Sequence, residues 1–142
     1  MVKSMMDNDK DIVGRLGSSE TTARTVLIVD DEVDVIDVFT MLFQVHGFDV
    51  ISAGNGRDAL EKLEASAPDI VLSDCMMPVM DGIELCRRLK QAPATAALPI
   101  ILMSAAPDSH DLASAPYDLF LKKPFLFSVL LEHVQKLLPA RP

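Results

Sequence analysis

From Thr25 onward the chain alternates between short runs of β-branched and aliphatic residues and longer runs in which apolar positions return every three or four residues. The first kind reads as strand and the second as helix. Strands are expected at Thr25 to Val29, Phe48 to Ser52, Asp69 to Ser73, Ile100 to Met103 and Leu119 to Leu121. Three of them, TVLIV, DIVLS and IILM, are almost wholly apolar, which suits strands covered on both faces of a parallel sheet. A first helix is expected from Glu32 to about His46, with Val35, Ile36, Phe39, Leu42 and Phe43 inward and Gly47 as its stop. A second spans Gly56 to Ser66, with Ala59, Leu60 and Leu63 inward. A third runs from near Asp81 to Ala92, before Pro93, and turns Leu85, Cys86 and Leu89 to the sheet. The last begins around Phe125, carries Leu126, Leu130, Val134 and Leu137 on one stripe, and ends before Pro139. Between Ser104 and Leu119 two prolines leave little room, so the fourth helix is expected to be short or mobile.

This rhythm implies an α/β fold: a doubly wound sheet of five parallel strands, joined by right-handed crossovers and covered by helices on both faces. In such sheets the site lies beyond the C-terminal ends of the strands. Residues 1–24 are polar and small, and read as a flexible tail before a domain at 25–138 and a C-terminal end at 139–142. Met5, Met6, Ile12, Val13 and Leu16 fall near helical spacing, which leaves open a short helix packed on the domain or on a second chain; Gly14 and Gly17 argue against it. A chain of 142 residues is enough for one core without a disulfide or a structural metal.

Charge narrows the partners. Twenty-one acidic against 13 basic residues give a net charge of −8, which opposes direct binding to DNA or to an anionic membrane. No apolar run approaches the roughly 20 residues that cross a bilayer, and the N-terminus lacks the pattern of a secretory signal, so a cytoplasmic location is expected. Cys75 and Cys86, close in sequence and without metal-ligand spacing, are expected as reduced, partly buried thiols.

Some of the acid sits where charge is costly. Asp30 and Asp31 end the first strand, Asp74 the third, Ser104 the fourth and Lys123 the fifth, so all reach one edge of the sheet. Three crowded carboxylates repel, and a Mg²⁺ ion (or Mn²⁺) relieves that repulsion. Asp31 and Asp74 would be direct ligands; Asp30 through a bound water and the backbone carbonyl of Met76 are further donors that spacing alone does not reveal. A free oxygen of Asp74 can then attack phosphorus in line, with Lys123 as a point charge and the Ser104 hydroxyl as a donor on the phosphoryl oxygens. Bland readings stand beside these. Asp30 and Asp31 serve equally as acids at a helix start, Ser104 as a turn serine, Lys123 as a solvated lysine blurred by Lys122, and Asp81 as the cap of the third helix.

The acidic pair in LIVDDE, the aspartate in DIVLSDCMMPVMDG, the hydroxyl in PIILMSA and the lysine in FLKKPF occur in this order, and together they resemble the receiver domains of two-component response regulators. The resemblance covers Thr25 to about Leu138. It implies a flavodoxin-like strand order of 2-1-3-4-5, with Asp74 as phosphoacceptor, Asp30 and Asp31 as metal-site acids, Ser104 as switch hydroxyl and Lys123 as the phosphate-contacting lysine. It also implies a cis bond before Pro124 and a switch aromatic at Phe120, for which core packing is the competing role. The expected partners are a sensor histidine kinase or histidine phosphotransfer protein and a downstream protein, with the chain a monomer or weak homodimer. No separate substrate turnover is expected. One rival is a receiver-like interaction domain without phosphate turnover. The other is a small phosphatase or flavin carrier, for which LIVDDEVD supplies neither an Asp-x-Asp pair nor a phosphate loop.

Overall fold

The computed structural model describes residues 23–106 and 110–139. The expected tail, including its candidate helical positions from Met5 to Leu16, therefore lies outside the described residues, as do the last three residues of the chain and three of the segment before the fourth helix. The elements alternate strictly: β1 (Thr25–Val29), α1 (Val33–Val45), β2 (Asp49–Ala53), α2 (Gly56–Ala65), β3 (Ile70–Asp74), α3 (Gly82–Gln91), β4 (Ile100–Ser104), α4 (His110–Ser114), β5 (Leu119–Lys122) and α5 (Phe127–Leu137). The five strands form one parallel sheet in the order 2-1-3-4-5.

Alternation of side chains along the central strands divides the interior in two. Val26, Ile28, Ile70, Leu72, Ile101 and Met103 meet Phe43 of α1 and Leu130 and Val134 of α5 on one face. Leu27, Val29, Val71, Ile100 and Leu102 meet Ala59 of α2, Leu85, Cys86 and Leu89 of α3, and Leu112 of α4 on the other. Every residue of β3 and β4 is buried, the polar Ser73, Asp74 and Ser104 included. Cys75 and Cys86 are free and buried, and burial pushes their thiols up to about 12 and about 11 respectively.

Carboxylates at the opposite, N-terminal edge of the sheet hold the register. Asp69 Oδ2 accepts from the Thr25 N–H at 2.7 Å. Asp118 Oδ2 accepts from the Ile100 N–H at 2.8 Å and from Lys90 Nζ at 2.9 Å. Two helices on the α2–α3 face are capped by side chains. Asn55 Oδ1 accepts from the Asp58 N–H while Asp58 Oδ2 accepts from the Gly54 N–H, a reciprocal pair. Asp81 Oδ1 accepts from the Glu84 N–H, so its role here is that of a cap. α1 and α5 start at Glu32 and Leu126 without a side-chain cap.

Three details depart from the sequence pattern. α5 starts at Phe127, two residues later than expected, because Leu126 keeps an extended backbone; its side chain is exposed and does not belong to the inward stripe. On α1 only Phe43 of the five expected inward residues is fully buried, since this helix lies over the β1–β2 side of the sheet and only part of it faces a neighbour. β3 and β4 each extend one residue further than expected and include Asp74 and Ser104 themselves. α4 is a single five-residue turn of helix.

Phe43 joins the α1 layer to α5, with its ring edge-on to Phe48 at 5.5 Å and to Phe127 at 4.9 Å between centroids. Replacing a fully buried phenyl ring by a methyl group costs about 3–5 kcal/mol. The variant Phe43→Ala should therefore lower the urea midpoint by that equivalent with an unchanged denaturant slope; a loss under about 1 kcal/mol would mean that the two helices do not share this core.

Candidate functional site

Parallel pairing brings the strand ends together. Val29 lies beside Ser73, Asp74 beside Met103 and Ser104 beside Lys122, so the residues that follow β1 and close β3, β4 and β5 meet at one edge. There Asp31, Glu32, Asp74, Met76, Ser104, Ala105, Ala106 and Lys123 line a cavity of about 320 Å³. One carboxylate oxygen from each of Asp30, Asp31 and Asp74 lies within 4.8 Å of the others. Asp30 is 1% exposed and Asp74 8%, whereas Asp31 faces solvent.

Lys123 answers this charge. Its Nζ donates to Asp74 Oδ1 at 2.9 Å and stands 3.7 Å from Asp30 Oδ2. Burial alone would lower its pKa, but the hydrogen bond and charge of Asp74, with Asp30 and Glu32, outweigh that effect and hold it above the ordinary lysine value. Lys122 is exposed, so of the two lysines Lys123 is the one that reaches the carboxylates. The Lys123–Pro124 bond is cis.

Asp30 is the least satisfied group. Its Oδ1 accepts from the Glu32 N–H at 2.9 Å, while Oδ2 is buried without a hydrogen-bond partner. Burial raises its pKa, reinforced by the neighbouring Asp74 and Glu32 and opposed by the Glu32 N–H and Lys123. A buried orphan oxygen among three hard-oxygen donors fits a small divalent cation, for which that charge density and donor chemistry are suited.

The chain matches the family model of the response regulator receiver domain over residues 26–135. It belongs to the response regulator receiver family. Among curated relatives, it is 33% identical to the alkaline phosphatase synthesis transcriptional regulatory protein PhoP of Bacillus subtilis, a match covering 72% of this chain and 43% of that one. This receiver thus spans less than half the length of that relative. Among solved structures, it is similar to the receiver domain of a signal transduction histidine kinase from Syntrophus aciditrophicus, with a TM-score of 0.77 and 34% identity, covering 81% and 89% of the two chains. It is also similar to the response regulator TrrA of Thermotoga maritima in complex with Mg²⁺ and BeF, with a TM-score of 0.73 and 32% identity, covering 81% and 99%.

The remaining candidate residues of the receiver occupy distinct settings. Ser104 is buried at the end of β4, and its Oγ accepts from the Ala106 N–H at 3.0 Å. Phe120 pairs with Leu102 in the sheet and is half-buried, its ring 6.2 Å from that of Tyr117. The Met76 N–H donates to Asp74 Oδ2 at 3.3 Å, which points the start of the β3–α3 loop back over the aspartate.

Two site residues carried no signal strong enough to be singled out from the sequence. Glu32 lines the cavity and adds a fourth acid beside Lys123; its position directly after the acidic pair was the available clue. Gly82, read as part of a turn, has a more specific role. A Cβ there would lie 2.1 Å from the Asp74 carbonyl oxygen and 2.9 Å from Ser73 Oγ. The Gly82 N–H also donates to the Cys75 carbonyl, so the start of α3 is clamped against the backbone of Asp74.

Because the folded pKa of Asp30 is raised, its charged form is destabilised by folding. That penalty is absent below the unfolded carboxylate pKa and grows as pH rises through the folded one. In chelator at neutral pH, Asp30→Asn should accordingly raise the melting temperature, and thermal melts at pH 4 and pH 7 should show the gain shrinking at the lower pH. A loss of stability at pH 7 would contradict the crowding.

Proposed function

We propose that this receiver is a phosphorylation switch that accepts a phosphoryl group on Asp74. The observation that carries the reading is the 2.9 Å contact of Lys123 with Asp74 inside a carboxylate cluster that leaves Asp30 Oδ2 buried and unpartnered. Asp31, Asp74 and the Met76 carbonyl would hold Mg²⁺ (or Mn²⁺) directly and Asp30 through a bound water; when bound, the ion offsets the negative charge of the acids and of the incoming phosphoryl group. The Mg²⁺ and BeF of the TrrA structure support this assignment.

In the transfer, an Asp74 carboxylate oxygen attacks phosphorus in line. The phosphorus–nitrogen bond of a phosphohistidine, on a sensor histidine kinase or phosphotransfer protein, breaks and its electron pair leaves with the imidazole. Lys123 already donates to Asp74 and follows charge onto a phosphoryl oxygen, while the Ser104 hydroxyl, whose oxygen accepts from the Ala106 N–H, donates its proton to a second phosphoryl oxygen. Since β4 and β5 pair through Leu102 and Phe120 and through Ser104 and Lys122, a movement of Ser104 is passed to Phe120, whose half-buried ring reports it on the surface. Residues 25–138 form the switching unit, preceded by a tail at 1–24.

The output is a changed protein-binding surface. A net charge of −8 opposes direct contact of this chain with nucleic acid or an anionic membrane, and no helix among the described residues is long and apolar enough to cross one. The proposed setting is cytoplasmic, with no separate substrate turned over.

Acetyl phosphate with Mg²⁺ should add one phosphoryl mass to the intact protein, and none to Asp74→Asn or to wild type in chelator. Labelling of Asp74→Asn to the same extent, or no labelling of wild type, would exclude the switch and leave an interaction domain without phosphate turnover.

Met76 and Ala106, two residues past Asp74 and Ser104, present no polar side chain to guide an attacking water, although both line the cavity. The phosphoryl group on Asp74 should consequently persist for minutes or longer in the purified protein. Decay within seconds, followed by loss of phosphoryl mass, would show that another group positions the water.

A further inference from the structure

The side chain of Met76 is open to solvent and also borders the phosphoacceptor cavity. It is 67% exposed, yet it lines that cavity with Asp74, Ser104 and Lys123. Its backbone is tied to the site, because the Met76 N–H donates to Asp74 Oδ2 at 3.3 Å. The loop that carries it is fixed again further on. The Gly82 N–H donates to the Cys75 carbonyl at 3.0 Å, and the Gly56 N–H at the start of α2 donates to the Met80 carbonyl at 2.8 Å. The thioether is thereby kept at the mouth of the cavity.

The neighbouring sulfur groups are shielded. Cys75 and Cys86 are buried, Met103 is fully buried in the sheet, and Met80, 9% exposed, packs against Gly56. Met77 is half-buried against the core that α2 and α3 cover. Among the described residues, only Met41 of α1 is open to a comparable degree, at 62%, and it is not part of the cavity lining. Met76 is thus the described sulfur that is both open to an oxidant and next to Asp74.

A thioether offers water only a weak acceptor, whereas its sulfoxide is polar and carries an oxygen that accepts strongly. Hydrogen peroxide makes the conversion: a sulfur lone pair attacks one peroxide oxygen, the O–O bond breaks, an S–O bond forms and water leaves. Sulfur is oxidised and peroxide reduced by the same electron pair. We propose that Met76 is an oxidation site, at which peroxide converts the thioether to the sulfoxide and thereby shortens the life of the phosphoryl group on Asp74. The sulfoxide oxygen accepts from a water at the cavity mouth and holds it for attack on phosphorus. The phosphorus–oxygen bond to Asp74 then breaks, the water's proton passes to the departing phosphate, and the carboxylate is restored. Oxidation leaves Asp74, Lys123 and the carboxylate cluster unchanged, so it acts on decay rather than on uptake. The inference rests on the reading of Asp74 as phosphoacceptor.

The test treats the full 142-residue chain with hydrogen peroxide and then phosphorylates it with acetyl phosphate and Mg²⁺. Peptide mass spectrometry should find the added oxygen on Met76 and Met41 before Met80 and Met103. Once the donor is removed, oxidised wild type should lose its phosphoryl mass roughly fivefold faster than unoxidised, equivalent to about 1 kcal/mol of barrier and to one hydrogen bond. Each variant is compared with its own unoxidised sample: peroxide should leave the decay of Met76→Leu unchanged and should still accelerate that of Met41→Leu. Methionine sulfoxide reductases for both epimers should restore slow decay to wild type. An unoxidised Met76, an unchanged decay after its oxidation, or acceleration that persists in Met76→Leu would overturn the inference and leave the switch intact. So would loss of phosphoryl uptake by the oxidised protein alone. Absence of uptake by the unoxidised protein would be the failure of the switch reading and would overturn both.

Discussion

Like charges held together against water dominate this molecule. Asp30, Asp31 and Asp74 present oxygens within 4.8 Å of one another, and the folded chain sets the Lys123 ammonium against two of the three. Nothing in the packing of the sheet requires such an arrangement. It is tolerated because β3 and β4, buried along their whole length, anchor two of the four participating strand ends rigidly. The two apolar layers therefore act as the scaffold for an electrostatically unfavourable cluster. The remaining imbalance, a buried Asp30 oxygen with no hydrogen-bond donor, is the physical reason that a cation suits the site.

Much of this was legible in the chain because its physical causes are local. A strand buried on both faces must be apolar throughout, and TVLIV, DIVLS and IILM announce themselves for that reason. Once the strands are parallel, the polar residues at their ends are brought to a common edge by topology, so Asp30, Asp74, Ser104 and Lys123 could be grouped before any coordinates were known. Two adjacent lysines blur the sequence at this point, and only the folded chain shows Lys123 against Asp74 with Lys122 exposed.

What was not legible depends on three-dimensional closeness. Gly82 is contiguous with a turn sequence, and only the approach of α3 to the Asp74 carbonyl explains why a side chain does not fit there. The start of α5 was misplaced because Phe125 and Leu126 are apolar at the helical spacing, while the backbone at Leu126 stays extended. On α1 the inward face is where the pattern placed it, with Phe43 buried and Ile36 and Phe39 packed half-buried on the same core, but periodicity does not say how deeply each position is covered. The Ser104 hydroxyl oxygen accepts from the Ala106 N–H, a bond within its own turn that spacing alone could not separate from a role at the cavity.

The uneven capping of the helices has a consequence for how the fold breathes. α2 and α3 begin with their first-turn N–H groups bound by Asn55 and Asp81, whereas α1 and α5 begin at Glu32 and Leu126 with none bound by a cap. Both uncapped starts lie near Lys123 and flank the same groove. Amide exchange should consequently be fastest on the α1–α5 side of the cavity and slowest along β3 and α3, so local opening is concentrated on one wall of the cavity while the Asp74 wall keeps its shape. One side can then reshape around a visiting molecule without loosening the carboxylate cluster.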